Sequence, residues 1–76
     1  MTKIIAITRN TRYTIQNGWM TDGKTDYKFH CRLSGMAGTP VFDQNMEIGD
    51  QLVGLTHDGQ VLVTSPVTAV LNAERS

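Results

Sequence analysis

The apolar positions of this chain fall into short runs separated by turn-forming dipeptides. Segment 27–33 shows the most regular pattern, because apolar and basic residues alternate along it with a period of two. This period places Tyr27, Phe29, Cys31 and Leu33 on one face and Lys28, His30 and Arg32 on the other. The pattern predicts a half-buried strand whose exposed face forms a basic strip.

The strongest turn signal is Asp58-Gly59, which separates two β-branched runs at 51–57 and 60–65. Asp-Gly supplies the positive φ values of a two-residue type I′ turn, so a β-hairpin is predicted. That turn pairs Leu55 with Leu62, and its register assigns Val53, Leu55, Leu62 and Thr64 to one face and Leu52, Gly54, Val61 and Val63 to the other. Both faces are largely apolar, which favours a hairpin wrapped into a small barrel or sandwich.

The remaining apolar runs lie at 3–9, 12–16, 19–21, 41–42 and 67–71, and those at 3–9, 12–16 and 67–71 predict further strands. Asn17-Gly18 and Asp22-Gly23 bracket the third of these runs, as in a meander of short strands. Segment 34–40 contains two glycines and a proline and is expected to form the longest loop. Together these signals predict one all-β domain over residues 1–76, a small antiparallel barrel (SH3-like or similar) of five or six short strands.

Two arginines flank the first turn. A two-residue turn at Asn10-Thr11 would place Arg9 opposite Arg12, and like charges in that position are destabilising. Either the loop is longer than two residues, or the two guanidinium groups bind an anion.

The charges are unevenly distributed, although the formal net charge is zero. Residues 1–38 hold six of the seven Lys and Arg residues, and residues 39–76 hold five of the seven Asp and Glu residues. Either the two halves attract one another within one small domain, or the asymmetry is a functional dipole. The zero sum weakens any expectation of generic nucleic-acid binding, because such domains are usually strongly basic.

The single cysteine, Cys31, cannot form a disulfide within the chain, which points to a reducing compartment. The longest apolar run near the start, 4–7, is too short for a signal peptide or a membrane span. We therefore expect a cytoplasmic protein with no membrane partner. A free cysteine of this kind is usually a small buried core residue.

No catalytic, metal or cofactor motif is present. The potential ligands Cys31, His30 and His57 lack metal-site spacing, and adjacent strand residues point to opposite faces. There is no nucleophile elbow around Ser65, and no glycine-rich loop precedes a helix. We expect no enzymatic activity, no metal and no cofactor.

Basic residues and aromatics together suggest binding. The candidate partner-binding residues are Arg9, Arg12, Trp19, Lys28, His30 and Arg32. Cations with nearby rings suit phosphate contact and base stacking, which would allow nucleic-acid or nucleotide binding. Alternatively, most of the five aromatics turn inward to build the core, which leaves Trp19 as the exposed ring.

The sequence therefore predicts a non-enzymatic binding module that binds and blocks another protein or complex, such as a phage or mobile-element inhibitor of a host or defence complex. Tryptophan and arginine anchors commonly dominate such interfaces. The alternatives are nucleic-acid or nucleotide binding by the basic strip, and a structural subunit of an assembly. Edge strands could also pair copies into a homodimer. The acidic segment 43–50 is a second candidate surface.

Overall fold

The computed structural model describes residues 3–43 and 45–72. It contains eight strands: β1 (Ile4–Thr8), β2 (Arg12–Gln16), β3 (Trp19–Thr21), β4 (Asp26–Ser34), β5 (Thr39–Val41), β6 (Gln51–Leu55), β7 (Val61–Val63) and β8 (Val67–Asn72). No helix occurs among the described residues. The predicted all-β antiparallel fold is confirmed, with eight strands in place of five or six.

The strands form a single antiparallel sheet in the order β7-β6-β4-β3-β2-β1-β8, with β5 paired to β4 outside this path. Within residues 3–43 and 45–72 the sheet is not closed into the predicted barrel, because β7 and β8 end the path as edge strands. Its ends are nevertheless linked near the start of β8. The Val67 N–H donates to the Asp50 carbonyl at 2.8 Å, and the Gly49 N–H donates to the Val67 carbonyl at 2.7 Å.

One face of the sheet encloses the hydrophobic core. The core cluster draws on six strands and on the segment before β6, and consists of Ala6, Tyr13, Ile15, Met20, Phe29, Met46, Leu52 and Val67. Because side chains from so many strands contact one another, the sheet curves around this cluster. We call this side the core face and the opposite side the outer face.

Gly54 lies at a close approach between β6 and the side chains of β3 and β4. A Cβ atom at this position would lie 2.7 Å from Met20 Cε and 2.9 Å from Tyr27 Cβ. The first atom ends a flexible side chain, but the second is fixed to the backbone of β4. The absence of a side chain at Gly54 therefore allows β6 to pack closely against the core.

The first two turns differ in how well the sequence predicts them. Asn17 and Gly18 have φ values of 57° and 79°, as the predicted two-residue turn between β2 and β3 requires. The β1–β2 turn lies one residue earlier than expected, at 9–10, with a bond of 2.8 Å from the Thr8 N–H to the Thr11 carbonyl. Arg12 therefore faces Ile7 instead of Arg9, so the expected arginine pair does not form.

The β6–β7 hairpin forms where it is predicted, but its register is shifted by one residue. Residues 57–59 form a three-residue loop in which only Gly59 has a positive φ, and the Gly59 N–H donates to the Thr56 carbonyl at 3.1 Å. The Thr56 hydroxyl donates to Asp58 and accepts the Gln60 N–H, which stabilises this longer loop.

The register shift places the β7 side chains on the opposite face, relative to β6, from the one predicted. Leu55 now pairs with Val61, and Gly54 pairs with Leu62. The core face carries Leu52, Gly54, Leu62 and Thr64, and the outer face carries Val53, Leu55, Val61 and Val63. The predicted face assignment is therefore wrong, because a one-residue slip reverses the orientation of each side chain on the slipped strand relative to its partner.

A β-bulge interrupts β4 at His30. Phe29 pairs with Gly54 and Cys31 pairs with Val53, so His30 is an extra residue in the ladder. Beyond the bulge the alternation reverses, and Arg32 lies opposite the core residue Leu52. The predicted basic strip is wrong at Arg32, which is only 7% exposed.

The predicted long loop at 34–40 is also shorter than expected. Ser34 is still part of β4 and pairs with Thr39, and Leu33 pairs with Pro40. Only residues 35–38 form the turn. Proline is tolerated in β5 because, in the described part of the chain, this short strand pairs with β4 alone.

Candidate functional site

The outer face of β3, β4, β6 and β7 presents an apolar surface around one lysine. Trp19 pairs with Lys28, Lys28 pairs with Leu55, and Leu55 pairs with Val61, so their side chains form a row across four strands. Val63 lies two residues further along β7 on the same face. We call Trp19, Lys28, Leu55, Val61 and Val63 the outer patch.

The side chains of the outer patch are accessible. Trp19 is 47% exposed, Val61 63% and Val63 49%, while Leu55 is half-buried. Isolated exposed valines need no explanation, but here a tryptophan on one side of Lys28 and several aliphatic side chains on the other share one face. Such a surface is typical of an interaction site.

A shallow depression of about 240 Å³ lies at one end of the outer patch. It is lined by Trp19, Lys28, Leu55, Thr56, His57 and Gly59. The rings of Trp19 and His57 lie 6.4 Å apart between centroids, with their planes tilted by 40°. The three-residue loop thus holds His57 beside Trp19, and the two rings line the depression together with Lys28.

Arg12 lies on the same outer face but several residues away along β2. The core residues Tyr13 and Ile15 alternate with Arg12 and Thr14, which fixes the outward direction of the arginine. Arg9 is exposed in the β1–β2 turn. These two cations therefore lie at the far end of the sheet face from Leu55 and Val61.

A second depression of about 420 Å³ lies beside Arg12, between the β1–β2 and β3–β4 turns. Its Asp22 carboxylate accepts the backbone N–H groups of Thr25 and Lys24, both at 2.8 Å. These bonds lower the pKa of Asp22 and order the β3–β4 loop. The depression thus carries both signs of charge and is not a purely cationic anion site.

The bulge separates His30 from the outer patch. His30 is exposed, and its ring packs edge-on against Phe42, with 5.8 Å between centroids and an interplanar angle of 87°. Phe42 is itself 68% exposed. The two rings form a small aromatic pair beside β5, a feature that the sequence pattern did not reveal.

Arg32 is held in a nearly buried ionic cluster. Its Nε lies 3.0 Å from Asp43 Oδ1, and its Nη1 lies 2.7 Å from Asp50 Oδ2. Asp50 Oδ2 also accepts the Glu47 N–H at 3.0 Å, and the Asp50 side chain is 3% exposed. Arg32 thus anchors the segment before β6 and is inaccessible to a partner.

This cluster also explains part of the charge asymmetry. Arg32 comes from the basic half of the chain, and Asp43 and Asp50 come from the acidic half. Attraction between the halves is therefore a structural feature of the fold. Asp43 and Asp50 also belong to the acidic segment 43–50, the second candidate surface, and their carboxylates are bonded to Arg32.

Cys31 is a buried free cysteine. Burial raises the pKa of the Cys31 thiol, which favours its less reactive protonated form. No group of three His, Cys, Asp or Glu residues in residues 3–43 and 45–72 could hold a metal ion. In the same ranges no helix is long and apolar enough to cross a membrane.

Three of the six predicted contact residues thus share the outer face, namely Arg12, Trp19 and Lys28. His30 and Arg9 are exposed elsewhere, and Arg32 is buried. The sequence did not reveal Leu55, Val61 and Val63 as surface residues, because the predicted two-residue turn placed Leu55 and Val61 on opposite faces of the hairpin.

Comparison of the chain with protein-family models, with curated proteins and with solved structures gave no match.

Proposed function

We propose that this chain is a non-enzymatic protein-binding module that acts by covering a surface of another protein through its outer patch. The observation that carries the proposal is the exposed row of Trp19, Lys28, Leu55 and Val61 across four strands. An accessible tryptophan is a typical interface anchor, and the aliphatic side chains beyond Lys28 would help to exclude water around it. The partner surface would be apolar with a carboxylate positioned for Lys28.

Protein is favoured over nucleic acid as the partner because exposed rings are scarce on the sheet. Tyr13 and Phe29 are buried at 7% and 9% exposure, and Tyr27 packs against the core. Among the described residues of the strands, Trp19 is the aromatic side chain exposed on the outer face, and its cross-strand neighbours Gln16 and Lys28 place a single cation beside it. Single-strand binding surfaces combine several stacking rings with a cationic groove.

Nucleic-acid binding is the second candidate, because Trp19 lies directly beside Lys28 and shares a face with Arg12. This arrangement could stack one base and contact the adjacent phosphates. Its signature would be an affinity that falls steeply with salt, whereas a largely apolar protein interface depends weakly on salt.

The test is quantitative capture from a nuclease-treated lysate of a plausible host, with the tagged wild-type chain compared with Trp19→Ala. We expect wild type to retain a stoichiometric protein and the variant to retain at least about tenfold less, as for a hot-spot residue. Ile48→Ser is the matched control, because Ile48 is 73% exposed but lies outside the outer patch.

Two results would contradict the proposal. Equal recovery with Trp19→Ala and wild type would exclude the outer patch as the binding surface. Recovery that is lost on nuclease treatment would instead support nucleic-acid binding by the outer patch. The identity of the captured protein would also show whether the target belongs to a host or defence complex.

A further inference from the structure

The free edge of β7 carries a short pattern that is its own complement. Segment 60–64 reads Gln-Val-Leu-Val-Thr, with Leu62 at its centre and a β-branched valine on each side. An antiparallel pairing of this segment with a second copy, centred on Leu62, places Val61 opposite Val63 of the second copy and Val63 opposite Val61 of that copy. The segment therefore meets the condition for a two-fold symmetric contact.

The hydrogen-bond pattern of the hairpin leaves the required backbone groups free. The Thr56 N–H donates to the Gln60 carbonyl, and the Thr64 N–H donates to the Leu52 carbonyl, both at 2.9 Å. Hydrogen-bonded positions alternate along an antiparallel pair, so Gln60, Leu62 and Thr64 direct their backbone groups towards β6. The N–H and C=O groups of Val61 and Val63 therefore point away from the sheet.

These two observations specify the same register. Pairing centred on Leu62 makes each Val61–Val63 contact a hydrogen-bonded pair, in which both residues exchange N–H···O bonds. The two copies would thus form four backbone hydrogen bonds, with the two Leu62 residues facing each other at the symmetry axis. A register shifted by one residue would bring backbone groups already bonded to β6 to the contact.

The edge also lacks the features that usually prevent pairing. Residues 59–65 contain no charged side chain and no proline, and no described residue pairs with the free side of β7. Val61 and Val63 are 63% and 49% exposed, so cross-strand packing would shield apolar surface on the outer face.

We propose that the chain self-associates through β7 into a two-fold symmetric dimer with an antiparallel Leu62-centred contact. The dimer continues the sheet from one copy into the next through β7. Because β7 has only three residues, the contact is smaller than a standard interface, and the dimer is weak and concentration-dependent. This inference does not depend on the proposed function.

Sedimentation analysis of the full chain over a concentration series tests the proposal. Wild type should shift from monomer to dimer as concentration rises, and Val63→Pro should remain monomeric. The proline removes the outward N–H of Val63 but no hydrogen bond to β6, so circular dichroism should show an intact fold. Wild type that stays monomeric throughout, or a Val63→Pro variant that dimerises like wild type, would overturn the inference.

A pair of double variants tests the register and remains informative if the proline variant does not fold. Val61→Lys with Val63→Lys places like charges directly opposite each other across the axis, and should abolish the dimer. Val61→Lys with Val63→Glu places opposite charges there, and should dimerise more strongly than the first variant, with the difference shrinking in high salt. Equal association of the two variants would contradict the Leu62-centred register.

Discussion

At the scale of single residues, Arg32 shows how one side chain changes from a predicted contact to a structural anchor. Its guanidinium group bonds to Asp43 and Asp50, and its side chain is 8% exposed. Burying an arginine is costly unless partners satisfy its charge, and here two carboxylates do so. Charge reversal at Arg32 would therefore destabilise the fold, because it would place like charges beside Asp43 and Asp50.

We predict that Arg32→Ala will lower the free energy of unfolding by about 3–5 kcal/mol, because it leaves the buried Asp50 carboxylate without its ionic partner. Arg12→Ala, which removes an exposed arginine, should change this free energy by less than about 0.5 kcal/mol. Urea denaturation of both variants and wild type measures the difference. Equal stability of the two variants would show that the cluster contributes nothing to the fold.

Asp43 should make stability depend on acid pH. The Arg32 hydrogen bond holds the pKa of Asp43 below its ordinary value of 3.8, because it favours the ionised carboxylate in the folded state. Its contribution is complete above the unfolded-state pKa and is lost as the pH falls through the lower folded-state pKa.

The measurement is the urea midpoint of wild type and Asp43→Asn across the range from about pH 2 to pH 7. We expect the advantage of wild type to be constant near neutral pH and to shrink at and below about pH 3.8. An advantage that does not change with pH would contradict an ionic role for Asp43.

At the scale of elements, the turns show where sequence reasoning succeeded and failed. Asn17-Gly18 formed the two-residue turn that its chemistry predicts, because both residues adopt positive φ. Asp58-Gly59 did not, because Thr56 supplies a hydroxyl that bonds to both Asp58 and Gln60 and stabilises a longer loop. Dipeptide signals locate a hairpin reliably, but flanking side chains decide its register.

His57→Pro distinguishes the observed three-residue loop from the predicted two-residue turn. In the observed loop His57 is the second residue of a turn closed by the Gly59 N–H and the Thr56 carbonyl, a position that proline favours. We therefore expect the unfolding free energy to change by less than about 1 kcal/mol. In a two-residue turn the His57 N–H would pair with Gln60, and its loss would destabilise the hairpin clearly more.

The β4 bulge could not be predicted from the sequence. Residues 27–33 alternate without interruption, and nothing in that pattern marks His30 as an extra residue. The bulge lies where β4 pairs with β6 just beyond Gly54, and it turns Arg32 towards Asp50 from a segment 18 residues away. Long-range contacts of this kind decide local geometry but leave no local sequence signal.

At the scale of the whole molecule, alternation and turn residues were sufficient to predict an all-β antiparallel domain. Whether the sheet closes depends on how the strands at its two ends meet, which no local pattern encodes. Here β8 meets the segment before β6 through Val67, while β7 stays an open edge. The candidate site was also only partly predictable. Trp19 and Lys28 could be named from the sequence, but the exposure of Leu55 and Val61 on the same face depended on the β6–β7 register.

The central claim is that the outer patch binds a protein. The most direct measurement is amide hydrogen exchange of the chain alone and in complex with the protein that wild type captures. We predict that binding slows exchange in β3, in β6 and in residues 26–29 of β4, next to Trp19, Lys28 and Leu55. Slowing confined to residues 45–50 or to the β1–β2 turn would contradict the claim and assign binding to another surface.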